Sequence, residues 1–367
     1  MPTPDANVER VEAAAYTVPT DAPESDGTKE WDSTTFVVVH VQAGGEVGLG
    51  YTYGPGAAAH VVTSMLAEAV CGESAMEPHR IHRKLRASLR DAGQAGLCAL
   101  ALSAVDIALH DLRARLLGLP LTVALDAVHD CVPIYGSGGF TTYDGERVAA
   151  QLSGWVAQGI PRVKMKVGRF PEEDSERVAA AREAIGPDVA LMVDANGAFT
   201  PDAALAWVAR HARFGISYFE EPVSSDDLPG LRHVRERAPR EMAVAAGEDS
   251  WSPLDTRRLL DAEAVDIVQA DVTRCGGITA LLQIAALCEA RQRPFSAHCA
   301  PALMAHVGCA LVPLVHSEYF HDHVRIEQML LDGVAPVRDG ALWPDRAVPG
   351  HGLTLREDEA KRFRVSP

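Results

Sequence analysis

From about Pro133 onward, short apolar segments alternate with amphipathic stretches of about a dozen residues. No other feature constrains the fold as strongly, because this alternation is typical of βαβ units and predicts a parallel sheet. The predicted strands are VPIYGSG, RVKMKVG, ALMVDAN, SYFEEP, MAVAAGED, VDIVQAD, PFSAHC and, more weakly, VHSEYF. Eight such units in succession predict a closed α/β barrel.

Polar residues recur at the carboxyl ends of these predicted strands. They are Lys166, Asp194, Glu220, Glu248, Asp271, His298 and Glu318, separated by 28, 26, 28, 23, 27 and 20 residues. Each interval is about the length of one βα unit. Because the carboxyl ends of barrel strands meet at one mouth, we expect all seven side chains to form a single site there.

The first part of the chain has a different pattern. Residues 8–54 contain extended segments, including a predicted hairpin of TTFVVVHV and VGLGYTY, and residues 57–118 have helical periodicity. The polar stretch TDAPESDGTKEWDS is predicted to be a mobile loop. After about Phe320 the alternation is lost, which suggests a segment that packs back on another module. The predicted division is an α+β capping domain at 1–130, a barrel at 131–319 and a C-terminal segment at 320–367 that returns to the capping domain.

Composition restricts the partners and the compartment. The formal charge of -16 disfavours nucleic acid and anionic membrane surfaces. The seven cysteines are dispersed without a CxxC pair, the N-terminus lacks a signal-peptide pattern, and no apolar run approaches the length of a membrane span. We therefore expect a cytoplasmic protein with no membrane partner. An anionic substrate would need a metal ion or lysines to reverse the local field.

Three acids, Asp194, Glu220 and Glu248, end consecutive predicted strands. Carboxylates brought together in this way repel one another in a partly desolvated pocket, and a hard divalent cation such as Mg²⁺ would neutralise them. The alternative is that these acids cap the following helices or pair with lysines. Three acids in the same register favour the metal site.

Lys164 and Lys166 alternate along one predicted strand, so both side chains point to the same side. Inside a barrel and beside a cation, the pKa of such a lysine is expected to fall, which would make a neutral amine available as a base. The alternative is a pair of exposed lysines on an edge strand.

Asp271 and His298 end neighbouring strands, where the carboxylate could fix the imidazole tautomer and leave a second acid–base group. A lone strand-end histidine is more often only a satisfied polar residue. The remaining late histidines are expected at the surface: His306, His316, His321, His323 and His351. Cys299 could be a nucleophile, but strand alternation predicts that it points away from His298.

This pattern resembles the mandelate racemase subgroup of the enolase superfamily over essentially the whole chain. The matching residues are the K-x-K pair Lys164 and Lys166, the acids Asp194, Glu220 and Glu248, and the dyad Asp271 and His298. The resemblance implies a modified (β/α)7β barrel, one Mg²⁺ per subunit, and lid loops near residues 20–34 and 51–56. It also implies a homo-oligomer, since related barrels commonly associate.

The resemblance also implies individual roles. Lys166 would be the base on one face of the substrate, supported by Lys164, and His298 the base on the other. Glu318 would hydrogen-bond the substrate carboxylate. Glu221 is expected either behind the metal ligands or facing the substrate, and Asn196 is expected to bind the substrate.

The favoured function is Mg²⁺-dependent removal of the proton beside a carboxylate, through an enediolate. Because most members of the subgroup with this residue set are acid-sugar dehydratases, we expect a lyase that converts a sugar acid to a 2-keto-3-deoxy acid. A racemase or epimerase of a 2-hydroxy acid would use the same two bases and is the alternative. A noncatalytic ligand-binding barrel is the least favoured, because it predicts gaps in the catalytic set.

Overall fold

The computed structural model describes residues 6–365. We call its N-terminal antiparallel sheet the cap sheet. The strands of the cap sheet are β1 (Arg10–Ser25), β2 (Glu30–Ala43), β3 (Glu46–Tyr53) and, from the other end of the chain, β16 (Arg364–Val365), in the order β16-β1-β2-β3. The helices that follow are α1 (Ala57–Val61), which continues through a π-helical turn at Val62–Leu66 into α2 (Ala67–Val70), then α3 (Pro78–Ser88), α4 (Leu97–Leu116) and α5 (Leu121–Ala124).

Helix α4 is the central helix of this region. Of its 20 residues 16 are buried, because apolar side chains surround nearly its whole circumference. Strand β3 packs directly on it: a Cβ added at Gly48 or Gly50 would lie 2.1 Å from the carbonyl oxygen of Ala108 or Ala104, respectively. Glycine is therefore required at these two positions for β3 to contact α4 so closely.

Eight parallel strands form the barrel, and β11 pairs with β4 to close it. The strands are β4 (Val132–Gly138), β5 (Arg162–Lys166), β6 (Ala190–Asp194), β7 (Ile216–Glu220), β8 (Ala243–Ala246), β9 (Ile267–Ala270), β10 (Phe295–Ala297) and β11 (Leu314–Phe320). The helices between them are α6 (Gly145–Ala157), α7 (Asp174–Ile185), α8 (Pro201–His211), α9 (Leu228–Arg237), α10 (Pro253–Asp261), α11 (Gly277–Ala290) and α12 (Pro301–Val307). Eight strands and seven intervening helices confirm the predicted (β/α)7β barrel.

The C-terminal segment contacts both parts of the molecule. Its elements are α13 (His321–Leu330), β12 (Leu331–Asp332), β13 (Val337–Arg338), β14 (Ala341–Leu342), β15 (Thr354–Leu355) and α14 (Glu357–Ala360). The β13–β14 hairpin extends the barrel sheet beside β4, whereas β16 pairs with β1 of the cap sheet. The exact domain limits stay a prediction.

The predicted mobile loop at TDAPESDGTKEWDS is wrong for most of its length. Strands β1 and β2 continue through it, with Glu24 paired to Trp31 and Ser25 to Glu30 after a register shift. Residues 20–23 and Asp32, at the register shift, and the turn between Ser25 and Glu30 have no cross-strand partner. In the turn, Oδ1 of Asp26 accepts hydrogen bonds from the backbone amides of Thr28 and Lys29. We call residues 20–33 the hairpin tip.

The hairpin tip is held against the barrel. Oγ of Ser25 lies 2.5 Å from Oγ1 of Thr141, in the loop after β4. Gly27 touches the loop after β6, where an added Cβ would lie 2.0 Å from the carbonyl oxygen of Ala195. These contacts explain why a polar segment is ordered: its partner surface belongs to a distant part of the chain.

The cysteines and the helices agree with the pattern of the sequence. All seven cysteines, each of which lies within residues 6–365, are free thiols. In the same part of the chain, no helix is both long enough and apolar enough to cross a membrane.

Candidate active site

The barrel register places the predicted polar residues side by side. Lys166 pairs with Asp194 across β5 and β6, and Asp194 pairs with Glu220 across β6 and β7. Glu248 follows the end of β8, and Glu318 lies within β11 near its carboxyl end. All these side chains therefore meet at the C-terminal mouth of the barrel.

Asp194, Glu220 and Glu248 form a compact carboxylate cluster. One oxygen from each lies within 4.8 Å of the others, and the exposed fractions of the three residues are 0%, 0% and 9%. Burial and the Asp194 carboxylate raise the pKa of Glu220 to about 8. Oε1 of Glu220 and Oε2 of Glu248 have no hydrogen-bond partner among residues 6–365, although the latter lies 3.1 Å from Nε2 of His298.

This donor set fits a hard divalent cation. Three buried carboxylates with unsatisfied oxygens supply the ligand type that Mg²⁺ prefers, and a cation would remove their mutual repulsion. Helix capping, the first alternative, does not account for these acids, because the N-caps of the following helices are Thr200, Asp227 and Ser252. The second alternative was that these acids pair with lysines, and two of them, Asp194 and Glu220, do form ion pairs with Lys166 and Lys164.

Lys164 and Lys166 are buried inside the barrel, so the edge-strand alternative is wrong. Nζ of Lys164 lies 2.6 Å from Glu220 and 2.8 Å from Glu318, and Nζ of Lys166 lies 2.5 Å from Asp194. Burial lowers the pKa of Lys164, but the carboxylates of Glu220 and Glu318 outweigh this and hold it well above its usual value. The predicted fall in lysine pKa depends on a cation and stays a prediction.

His298 and Asp271 form the expected pair. Nδ1 of His298 lies 2.8 Å from Oδ2 of Asp271, whose other oxygen accepts hydrogen bonds from the backbone and hydroxyl of Thr273. The carboxylate therefore orients the ring, and Nε2 of His298 lies 3.1 Å from Glu248. Although burial lowers the pKa of His298, Cys299 and the surrounding carboxylates raise it well above its ordinary value.

Glu318 lies between the lysine pair and the histidine. Its Oε1 accepts a hydrogen bond from Ser137, and its Oε2 accepts one from the backbone amide of Cys299. Burial raises the pKa of Glu318, but Lys164 and His298 overcome this effect and lower it below the usual range. Glu318 is therefore an ionised group fixed from several sides.

Asn196 and Glu221 occupy different positions. Both have a positive φ, 44° and 38° respectively, in the loops directly after β6 and β7. Asn196 lines the cavity at the barrel mouth, and its amide oxygen has no hydrogen-bond partner in the described part of the chain. Glu221 is 4% exposed and does not line this cavity, which favours a position behind the ligands over contact with substrate.

The cavity at the barrel mouth has a volume of about 500 Å³ and is lined by both parts of the molecule. The cap sheet and the segment after it contribute Asp26, Lys29, Trp31, Ser33, Thr34, Thr35, Tyr53, Gly54 and Pro55. The barrel and the segment after it contribute Lys166, Asn196, Glu248, Asp249, Arg274, His298, Cys299, Glu318, Phe320 and His323. Both predicted lid segments, near residues 20–34 and 51–56, therefore line the cavity.

Cys299 lies closer to the site than strand alternation predicts. Strand β10 ends at Ala297, and the positive φ values of Cys299 and Ala300, 52° and 47°, turn the chain. As a result, Sγ of Cys299 lies 3.4 Å from Nε2 of His298 and 3.3 Å from Glu318. Burial raises the pKa of the thiol, which disfavours a thiolate nucleophile.

Five residues that line the cavity were not predicted: Thr35, Asp249, Arg274, Phe320 and His323. Arg274 contacts Asp271 at 3.5 Å and Glu248 at 3.6 Å, and its place three residues after Asp271 was a signal that could have identified it. His323 is buried and stacks on Tyr53, with ring centroids 3.4 Å apart. The expectation of surface positions is also wrong for three more histidines, which are buried: His306, His316 and His351. His321 is partly exposed.

A closed barrel with a carboxylate cluster between a lysine pair and a His–Asp pair is the arrangement of an acid–base enzyme with a metal centre. Two family models extend this conclusion: "Mandelate racemase / muconate lactonizing enzyme, N-terminal domain" matches residues 11–125, and "Enolase C-terminal domain-like" matches residues 147–359. The chain therefore belongs to the enolase superfamily, in its mandelate racemase subgroup, as the sequence predicts.

Several characterised proteins are similar over nearly the whole chain. A D-galactarolactone cycloisomerase from Agrobacterium fabrum is 35% identical over 94% of this chain and 95% of its own length. A 3,6-anhydro-alpha-L-galactonate cycloisomerase from Streptomyces coelicolor is 33% identical over 98% and 99%. An L-talarate/galactarate dehydratase from Salmonella typhimurium is 33% identical over 86% and 79%.

Solved structures agree with the fold. A mandelate racemase/muconate lactonizing enzyme-like protein from Rubrobacter xylanophilus is 56% identical, with a TM-score of 0.96 over 98% of this chain and all of its own. A racemase from Streptomyces coelicolor A3(2), solved with bound magnesium, is 30% identical, with a TM-score of 0.91 over 98% of this chain and all of its own. The magnesium bound in this relative and the carboxylate cluster of the present chain both support the predicted Mg²⁺ cofactor.

Proposed function

We propose that the protein binds Mg²⁺ at Asp194, Glu220 and Glu248, removes the proton beside the carboxylate of a sugar acid, and expels a β-hydroxyl as water. The observation that carries this proposal is the placement of Lys166 and His298 in the wall of one cavity that also contains Glu248. Two acid–base groups beside a metal-type cluster suit the removal of one proton and the delivery of another.

Bound Mg²⁺ would offset the charge of the three carboxylates and stabilise the negative charge that develops on the substrate carboxylate. Lys166, as a neutral amine, removes the α-proton. Lys164, 2.8 Å from Glu318, contributes fixed positive charge next to the reacting carboxylate.

His298 then completes the elimination. As an imidazolium held by Asp271, it gives a proton to the departing hydroxyl, so that water leaves and an enol remains. The enol becomes the 2-keto-3-deoxy acid when its C3 gains a proton. On the other side of the cavity, Asp26, Lys29 and Ser33 of the hairpin tip provide polar groups that suit the hydroxyls of a sugar chain.

A second candidate is cycloisomerisation of a sugar lactone or anhydro sugar acid. The similarity of 35% and 33% to two cycloisomerases, each over more than nine-tenths of the chain, favours this candidate. The first step would be the same removal of an α-proton, but the leaving group would be a ring oxygen of the same molecule. A racemase or epimerase would return a proton to the same carbon from the opposite face.

The test is a screen of the Mg²⁺-loaded protein in deuterated water against monoacid and diacid sugars, their lactones and their anhydro forms. Keto-acid formation from an open-chain acid supports the dehydratase. Isomerisation of a ring substrate supports the cycloisomerase, and deuterium with inversion but no keto acid supports the racemase or epimerase.

Variants separate chemistry from binding. Lys166→Ala and His298→Asn should each abolish turnover, whereas Lys84→Ala and His60→Asn, at exposed positions, should not affect it. Glu220→Gln should weaken Mg²⁺ binding measured by calorimetry. If Mg²⁺ fails to bind the wild-type protein at millimolar concentration, the assignment of the three acids is wrong.

A further inference from the structure

A further cluster of metal-type ligands lies outside the lining of the cavity at the barrel mouth. Asp21 and Glu24 belong to the hairpin tip, and His321 is the first residue of α13, directly after β11. One ligand atom from each of the three residues lies within 4.8 Å of the others. These side chains have no part in the proposed reaction.

Glu24 is the residue that distinguishes this cluster from an ordinary surface ion pair. Its exposed fraction is 0%, and its Oε2 accepts a hydrogen bond from Nε1 of Trp31 at 2.9 Å. Its Oε1 is buried and has no hydrogen-bond partner among residues 6–365. An unsatisfied buried carboxylate oxygen is costly, and a cation between Glu24 and its two neighbours would satisfy it.

The other two ligands, Asp21 and His321, are partly exposed to solvent. Nε2 of His321 lies 3.1 Å from Oδ2 of Asp21, and their side chains are 23% and 44% exposed. An ion could therefore enter from the surface and bind on the buried oxygen. The guanidinium of Arg147 is 3.8 Å from Oδ1 of Asp21 and so makes only a distant contact with this cluster.

The two segments that carry the ligands are already fixed to each other. Arg325 of α13 donates a hydrogen bond to the carbonyl of Pro19 at 2.7 Å, and the hydroxyl of Thr34 donates one to Asp322. The indole of Trp31, which orients Glu24, packs edge-on against Phe140 at a centroid distance of 5.5 Å. Ligands held in this way lose little entropy on binding a metal.

We propose that Asp21, Glu24 and His321 bind a second divalent cation, of the Zn²⁺ type, which fastens the hairpin tip to the barrel. One imidazole nitrogen with two carboxylates suits Zn²⁺ and similar first-row ions, whereas Mg²⁺ prefers oxygen ligands alone. The ion would join β1 to the start of α13 and so hold Lys29 and Trp31 in the cavity wall. The proposed reaction does not depend on it.

The test is to count Zn²⁺ ions per chain by equilibrium dialysis of the full protein in excess Mg²⁺. The Asp21→Asn/His321→Gln double variant should bind one Zn²⁺ fewer than wild type, or bind it about tenfold more weakly. The control is Asp202→Asn/His233→Gln, an exposed His–Asp pair without a buried acid, which should match wild type. Any Zn²⁺ bound at Asp271, His298 and Cys299 is common to all three proteins and cancels from the comparison.

A second measurement does not rely on the variants. Hydrogen exchange of the backbone amides at residues 26–29 should slow when Zn²⁺ is added to the wild-type protein, and an anomalous scattering peak should appear between Glu24 and His321. Equal Zn²⁺ stoichiometry together with equal Zn²⁺ affinity in wild type and the Asp21→Asn/His321→Gln variant, or the absence of that peak, would overturn the proposal and leave a hydrogen-bonded ion pair.

Discussion

Gly27 lies at the turn of the hairpin tip, where it touches the loop that follows Asp194. A Cβ added there would be 2.0 Å from the carbonyl oxygen of Ala195 and 2.9 Å from Cβ of Ala198. The 2.0 Å contact is with the backbone of Ala195, which directly follows the proposed metal ligand Asp194. Because this contact joins an added Cβ to a backbone oxygen, no side-chain rotation can relieve it. The Gly27→Ala substitution therefore forces the hairpin tip off the barrel mouth.

The size of the effect follows from this distance. Nonbonded heavy atoms require about 3.5 Å, so the turn must move by about 1.5 Å. A misplacement of about 1 Å in groups that position a substrate can cost about a hundredfold in rate. We expect kcat/KM of Gly27→Ala to fall by about a hundredfold, and the free energy of unfolding to fall by about 1–3 kcal/mol through overpacking.

The assay pairs steady-state kinetics on the substrate found in the screen with urea unfolding and hydrogen exchange at residues 26–29. Gly154→Ala is the matched control, because an added Cβ in that helix meets no atom within 4 Å. It should retain full activity and should not lose stability. If Gly27→Ala keeps wild-type kcat/KM and wild-type exchange at the turn, the close seating of the hairpin tip described above is wrong.

Three further outcomes are expected. Burial raises the pKa of Glu327 to about 8, so the folded protein retains a proton that the unfolded chain releases near pH 4.5. The free energy of unfolding should therefore fall as the pH rises from about 4.5 to about 8, and Glu327→Gln should reduce this fall, as measured by urea unfolding at several pH values. Arg177→Ala removes one hydrogen-bond donor from each of the carbonyls of Gly139, Phe140, Tyr143 and Lys166 and leaves buried Asp174 without its ion-pair partner. It should cost about 3–5 kcal/mol, against less than about 0.5 kcal/mol for the exposed Arg90→Ala, by the same method. Iodoacetamide near pH 7 should label exposed Cys71 well before Cys299, whose pKa is raised by burial; rapid labelling of Cys299 in peptide maps would contradict its described environment.

The barrel was predictable because two sequence signals agree. Apolar strands recur at the interval of a βα unit, and polar residues fall where each strand ends. In a parallel barrel this spacing determines which residues are neighbours, as the pairing of Lys166 with Asp194 and of Asp194 with Glu220 shows. The candidate site could therefore be assembled from residues more than 150 positions apart.

Three features could not be predicted, because they depend on contacts between residues that are distant in the sequence or on local backbone angles: the ordered hairpin tip, the position of Cys299 and the burial of His323. The hairpin tip is polar, so its composition suggests a loop, but its strands are stabilised by the barrel against which they lie. Cys299 turns towards His298 because β10 has only three residues and the next backbone angles are left-handed. The burial of His323 depends on Tyr53, which is 270 residues away in the sequence.

The cavity wall has a barrel side and a cap side, and the two sides differ in how readily they accept substitutions. On the barrel side, the proposed metal ligands and bases are fixed by the register of parallel strands, where a shift in one residue would disturb several others. On the cap side, Lys29, Trp31 and Ser33 belong to the hairpin tip, which is held by pairing between β1 and β2 and by contacts with the barrel loops. If the protein acts on a sugar acid as proposed, substitutions at Lys29 or Ser33 would change the polar groups that face the sugar chain without changing Lys166 or His298. Under that proposal, substrate preference would change with a few residues of the hairpin tip while the proposed metal ligands and bases stay the same.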